Sequence, residues 1–94
     1  MLSANTNKVL EIGINTMDKN TKMFNELIEN GTVSVSDFYS MTIDRETIKF
    51  QGDYESLKVV RLQDNFNAKF TISESGYTIL ETKVAEIKVR IVLT

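Results

Sequence analysis

The most enzyme-like arrangement in the chain is Asp64 followed by the triplet Glu81-Thr82-Lys83. Two carboxylates can hold Mg²⁺ while a lysine orients a water, the donor set of a metal-dependent nuclease. A second triplet of the same form, Glu86-Ile87-Lys88, makes the first one ordinary. On a strand this spacing places opposite charges on one exposed side, where they serve cross-strand pairing and solubility. Charge pairing is the stronger account, so no catalytic residue, metal ligand or cofactor is expected. The acidic cluster Asp44, Glu46, Asp53 and Glu55 reads as turn and capping residues.

The cations offer a different chemistry. Lys58, Arg61, Lys69, Lys83, Lys88 and Arg90 all fall in the second half of the chain. If the last three strands are neighbours, Lys69, Lys88 and Arg90 gather on one exposed sheet face and can touch phosphates, with Tyr77 or Phe66 stacking a base. Glu74, Glu81 and Glu86 stand close in sequence and dilute that field. A solvated face of mixed charge is the plainer reading.

What is absent narrows the classes further. The 94 residues contain no histidine and no cysteine, which removes nucleophilic triads, thiolate metal sites and the side chain best suited to proton transfer near neutrality. The four glycines stand alone at 13, 31, 52 and 76, too scattered for a phosphate-binding loop. The net charge of −2 is spread evenly: residues 1–52 carry five basic and seven acidic side chains, residues 53–94 six of each. Neither the basic stripe of a nucleic-acid binder nor the acidic excess of a nucleic-acid mimic is visible along the chain. No basic region followed by an apolar run opens the sequence, and the aliphatic run Ile91–Leu93 is far short of a membrane span, so a cytoplasmic location and no membrane contact are expected.

The elements that must position these groups follow from periodicity. Glu86–Thr94 is the clearest strand: Ile87, Val89, Ile91 and Leu93 alternate with Glu86, Lys88, Arg90 and Val92. At the other end, Ser3 is a candidate N-cap and Asn30-Gly31 a helix stop. Between them Leu10, Ile14, Met17, Thr21, Phe24 and Ile28 fall at alternating steps of four and three, a heptad seam that Val9, Met23 and Leu27 widen. One helix over residues 3–29 would be about 40 Å long, against a diameter of roughly 32 Å for a compact domain of this size. It would overhang its own sheet and expose Val9, Leu10, Ile14 and Met17 to a partner, either an identical chain in a homodimer or a different protein. Gly13 and the Asn and Thr residues weaken that helix. Leu10, Ile12 and Ile14 equally fit a short strand, followed by a turn near Asn15-Thr16 and a helix over residues 18–29.

Beyond Gly31 the period becomes two. Val33, Val35, Tyr39, Met41 and Ile43 share one side of a strand interrupted at Asp37, and Ile48 and Phe50 mark its return after Asp44-Arg45-Glu46. Asp53 is placed to cap a short helix near 54–63 with Leu57, Val60 and the stem of Arg61 inward, a strand being the near alternative. Ala68, Phe70 and Ile72 predict a strand, Glu74-Ser75-Gly76 a hairpin turn, and Tyr77–Leu80 a more central strand. The expected fold is α+β and a single domain over 1–94: a long N-terminal amphipathic helix over 1–30, packed on a mainly antiparallel sheet of about five strands, with one short additional helix.

The eight asparagines, the small size and the missing catalytic residues resemble those of small phage accessory proteins that bind and redirect host proteins. The resemblance is one of composition and rests on no motif. It implies a non-enzymatic interaction module or inhibitor that binds, occludes or tethers another macromolecule. The competing expectation is a weak nucleic-acid-binding module using the exposed face of the C-terminal sheet.

Overall fold

In the computed structural model of the chain, residues 19–94 are described. Helix α1 occupies residues 19–29 and presents Met23, Phe24, Leu27 and Ile28 to the core while Lys22, Asn25, Glu26 and Glu29 stay outside. It stops where the sequence places the stop. Gly31 takes φ +77, and the amide of Val33 returns to the Leu27 carbonyl at 3.0 Å. The part of the expected long helix before residue 19, with Val9, Leu10, Ile14 and Met17, lies outside the described residues.

Five strands follow: β1 (Ser40–Ile43), β2 (Thr47–Gly52), β3 (Thr71–Ile72), β4 (Thr78–Val84) and β5 (Ile87–Leu93), with helix α2 (Ser56–Phe66) between β2 and β3. The sheet order is β1-β2-β5-β4-β3. Three pairings are antiparallel, as expected, and the pairing of β2 with β5 is parallel. The sheet is therefore mixed. Strand β5 sits at its centre, paired along both edges, and its alternation follows from the pleat: Val89, Ile91 and Leu93 are buried on the side of the helices while Lys88 and Arg90 fall on the other.

Both helices pack on one side. Ile48, Phe50, Leu80, Val89, Ile91 and Leu93 point to that side and are buried against Leu27 of α1 and Leu62 of α2. The Phe50 ring stacks on Phe24 at 5.7 Å and meets Phe38 at 5.0 Å, so it joins α1, the loop before β1 and the sheet. Gly52 closes this side. A Cβ there would collide with the Asp37 carbonyl oxygen, so only glycine lets the preceding loop lie against β2.

Several local expectations are corrected. Residues 33–39 are not a strand: Val35–Asp37 form a 3₁₀ turn, with Val33 and Phe38 buried and Val35 and Tyr39 exposed. Only Thr71–Ile72 pair where a longer strand over 68–73 was predicted, and Ile72 is exposed at the sheet edge. Helix α2 begins at Ser56 after Glu55 and ends at Asn67 in the left-handed region, so Asp53 is not its cap. Its phase also differs. Leu57 and Val60 are exposed, while Lys58 and Leu62 are buried. The inward stripe is Val59, Leu62 and Phe66, at helical spacing, and Lys58 is buried beside it with its ammonium donating to the carbonyls of Asp37 and Asp53 at 2.8 Å each.

Candidate functional site

Because side chains alternate along strands, the register fixes which residues share the side facing away from the helices. One row across the sheet reads Thr42, Lys49, Arg90, Glu81; the next reads Thr47, Lys88, Lys83. A third reads Ser40, Gln51, Val92, Ile79, Thr71. Both helices bury their apolar residues on the opposite side of the sheet.

The result is a cationic patch on three adjacent strands. Lys49 comes from β2, Lys88 and Arg90 from β5, and Lys83 from β4. Neighbouring strands stand about 4.8 Å apart and residues i and i+2 about 6.7 Å apart, so the four cations fill an area of roughly 10 by 7 Å. The carboxylate among them is Glu81, 3.5 Å from Arg90 Nε. Both side chains are about half exposed, and an ion pair of that kind is weak. Arg90 Nε is itself shielded from solvent and makes no hydrogen bond among the described residues. Four of the chain's eleven basic side chains and one of its thirteen carboxylates stand in these rows, so this face is net +3 and the rest of the chain net −5.

Of the residues expected at a nucleic-acid surface, Lys88 and Arg90 are brought together and Lys69 is not. Lys69 lies before β3, in a shallow depression with Gln63, Asp64 and Asn67 at the end of α2. Phe66 is partly buried against the core and borders a cleft on the covered side, so its ring lies away from Lys88 and Arg90. Tyr77 is exposed but sits at the β3–β4 hairpin, four residues along the chain from Glu81 and about 13 Å away. Lys49 was missed, and Lys83 was counted among the cations but not placed on this face. That Lys49 points outward was legible, since it alternates with buried Ile48 and Phe50; that it stands beside Arg90 depends on a parallel pairing that no local pattern announces.

The nuclease arrangement does not assemble. Asp64 belongs to α2 on the covered side of the sheet, whereas Glu81 belongs to the open side. Among the described residues no three acidic side chains gather as a metal site, and no helix is long and apolar enough to cross a membrane. Asp44 is a turn residue, as expected: its Oδ1 accepts from the amides of Glu46 and Thr47 at 2.9 and 2.7 Å. Two adjoining clefts of ≈ 460 and ≈ 430 Å³ run between α1 and the β4–β5 turn. Met23, Glu26 and Ala85 border both, and their charges are mixed.

Compared with protein-family models, curated proteins and solved structures, the chain matches none of them. The functional reading therefore rests on its own surfaces.

Proposed function

We propose that this chain is a non-enzymatic interaction module that occludes or tethers an anionic macromolecule through the open face of its sheet. The observation that carries this reading is the gathering of Lys49, Lys83, Lys88 and Arg90 on one side of a protein whose net charge is −2. Four cations around a single carboxylate repel one another, and an anionic partner relieves that repulsion. The test is binding of heparin, poly-glutamate and nucleic acid at low salt, by fluorescence anisotropy or calorimetry. Lys88→Glu with Arg90→Glu turns the face from net +3 to net −1 and should weaken binding at least tenfold while the far-ultraviolet circular dichroism stays unchanged. A wild-type protein that binds no polyanion at low salt would end this reading.

A second reading has its own observation. Leu57 and Val60, one turn apart on the outward side of α2, are 73% and 54% exposed, with Tyr54 exposed just before them. This strip favours a protein partner, including an identical chain. It predicts self-association that Leu57→Glu with Val60→Glu abolishes; a wild type that sediments as a monomer at every concentration removes the identical chain as that partner.

A further inference from the structure

Resting on the polyanion reading above, we infer that the open face takes the phosphate backbone of a double-stranded nucleic acid and does so without reading its sequence. The uncharged groups around the cations are the first argument. Ser40, Thr42, Thr47, Gln51 and Thr71 supply hydroxyls and an amide on the same side as the four cations. Lysine, arginine, hydroxyl and amide side chains are the groups that contact phosphate and sugar in nucleic-acid complexes. Protein interfaces instead centre on aromatic and apolar anchors. Ile79 and Val92 are the apolar side chains in the three rows, and Val92 is buried. This composition suits a phosphate backbone better than an acidic protein.

The second argument separates a duplex from a single strand. Proteins that hold single strands place successive bases on aromatic rings. No strand residue on the open face is aromatic, and exposed Tyr77 stands at the hairpin beyond the edge of that face, about 13 Å from Glu81. Without stacking, charge density decides the preference. A duplex presents one phosphate per about 1.7 Å of axis, against about 3.4 Å for each strand considered singly. The summed field of both strands therefore attracts the patch more strongly than that of one strand.

The third argument concerns the grooves. Five strands at about 4.8 Å span roughly 19 Å, whereas the major groove of B-form DNA is about 12 Å wide and admits a helix or a two-stranded ribbon. The face is too broad to enter. It lies across the backbone, where contacts position the protein and carry no sequence information.

The deciding experiment is fluorescence anisotropy of the full chain with short labelled DNA and RNA duplexes of two unrelated sequences, their single strands, and labelled poly-glutamate, repeated across a salt series. The expected result is equal affinity for the two sequences, weaker binding of the single strands, and a log K against log salt slope for DNA near about −3.6, from four phosphate contacts. Lys49→Gln or Lys83→Gln should each make that slope shallower by about 0.9. Single strands binding more tightly than duplexes would overturn the duplex inference while leaving the polyanion reading intact. So would a strong preference between the two sequences, or binding of poly-glutamate alone. Failure of every probe to bind at low salt would overturn both.

Discussion

The two faces of the sheet are made from the same strands, yet they do different work. On the covered face Met41, Phe50, Ile91 and Leu80 form one continuous row, and Ile43, Ile48, Val89 and Thr82 the next. Shifted by one residue, the same strands present Thr42, Lys49, Arg90 and Glu81 to the open side. Burial of the first set stabilises the fold, at about 25 cal/mol per Å² of apolar surface removed from water. The second set supplies little, because exposed charges are screened and hydrated. Stability and the proposed recognition are thus separated by a single residue step, so the two should be changeable independently.

Adjacent residues on β2 give the largest contrast. Phe50 is fully buried and touches the rings of Phe24 and Phe38, while Lys49 stands on the open side. Phe50→Ala should lower the unfolding free energy by about 3–5 kcal/mol, enough to unfold much of a small domain at room temperature. Lys49→Ala should change it by less than about 0.5 kcal/mol. Chemical denaturation of the two variants measures this directly, and Ile91→Val, at about 0.5–1.5 kcal/mol, gives a milder covered-face probe that stays folded. Equal effects from Phe50→Ala and Lys49→Ala would break the comparison.

The β4–β5 turn lies where both faces end, and it should move stability alone. Val84 pairs with Ile87 across a two-residue turn in which Ala85 and Glu86 hold φ of +50 and +69. Hairpins of this length favour positive φ at both positions because it matches the strand twist, but asparagine and glycine adopt it far more readily than alanine. Ala85→Asn leaves every charge in place. It should raise the unfolding free energy by about 1 kcal/mol and leave polyanion affinity unchanged, with denaturation and anisotropy as the two readouts. A gain in stability accompanied by altered binding would show that the turn itself touches the partner.

What was legible in the sequence follows from how far each pattern reaches. The alternation of Ile87–Leu93 identified the central strand, and Asn30-Gly31 and Gly76 marked the end of α1 and the β3–β4 turn, because these signals are local. The phase of α2 differs from the expectation because Val59, Leu62 and Phe66 pack on the core in place of Leu57 and Val60, with Lys58 held beside them by the carbonyls of Asp37 and Asp53. The cationic face was half legible. Lys88 and Arg90 share a strand, but Lys49 and Lys83 join them through pairings, one of them between strands some forty residues apart. Charge spread evenly along the chain becomes segregated only when the pleat sorts it, so the linear count concealed the patch.

The smallest expected effect on stability is also the one that sharpens the comparison most, because it alters the open face by a single charge. Glu81 is the carboxylate within the patch, and its Oε1 stands 3.5 Å from Arg90 Nε. Glu81→Gln keeps the size and shape of the side chain and removes the negative charge, taking the face from net +3 to net +4. An exposed ion pair at this separation contributes little, so the unfolding free energy should change by less than about 0.5 kcal/mol. Duplex binding should tighten several-fold at low salt, because the phosphates no longer meet a like charge and Arg90 no longer divides its field between Glu81 and the ligand. The gain should shrink as salt rises and screening shortens the reach of every charge on the face. Unchanged affinity at low salt would place the bound phosphates away from the Lys49–Arg90–Glu81 row and leave Lys83 and Lys88 as the principal contacts.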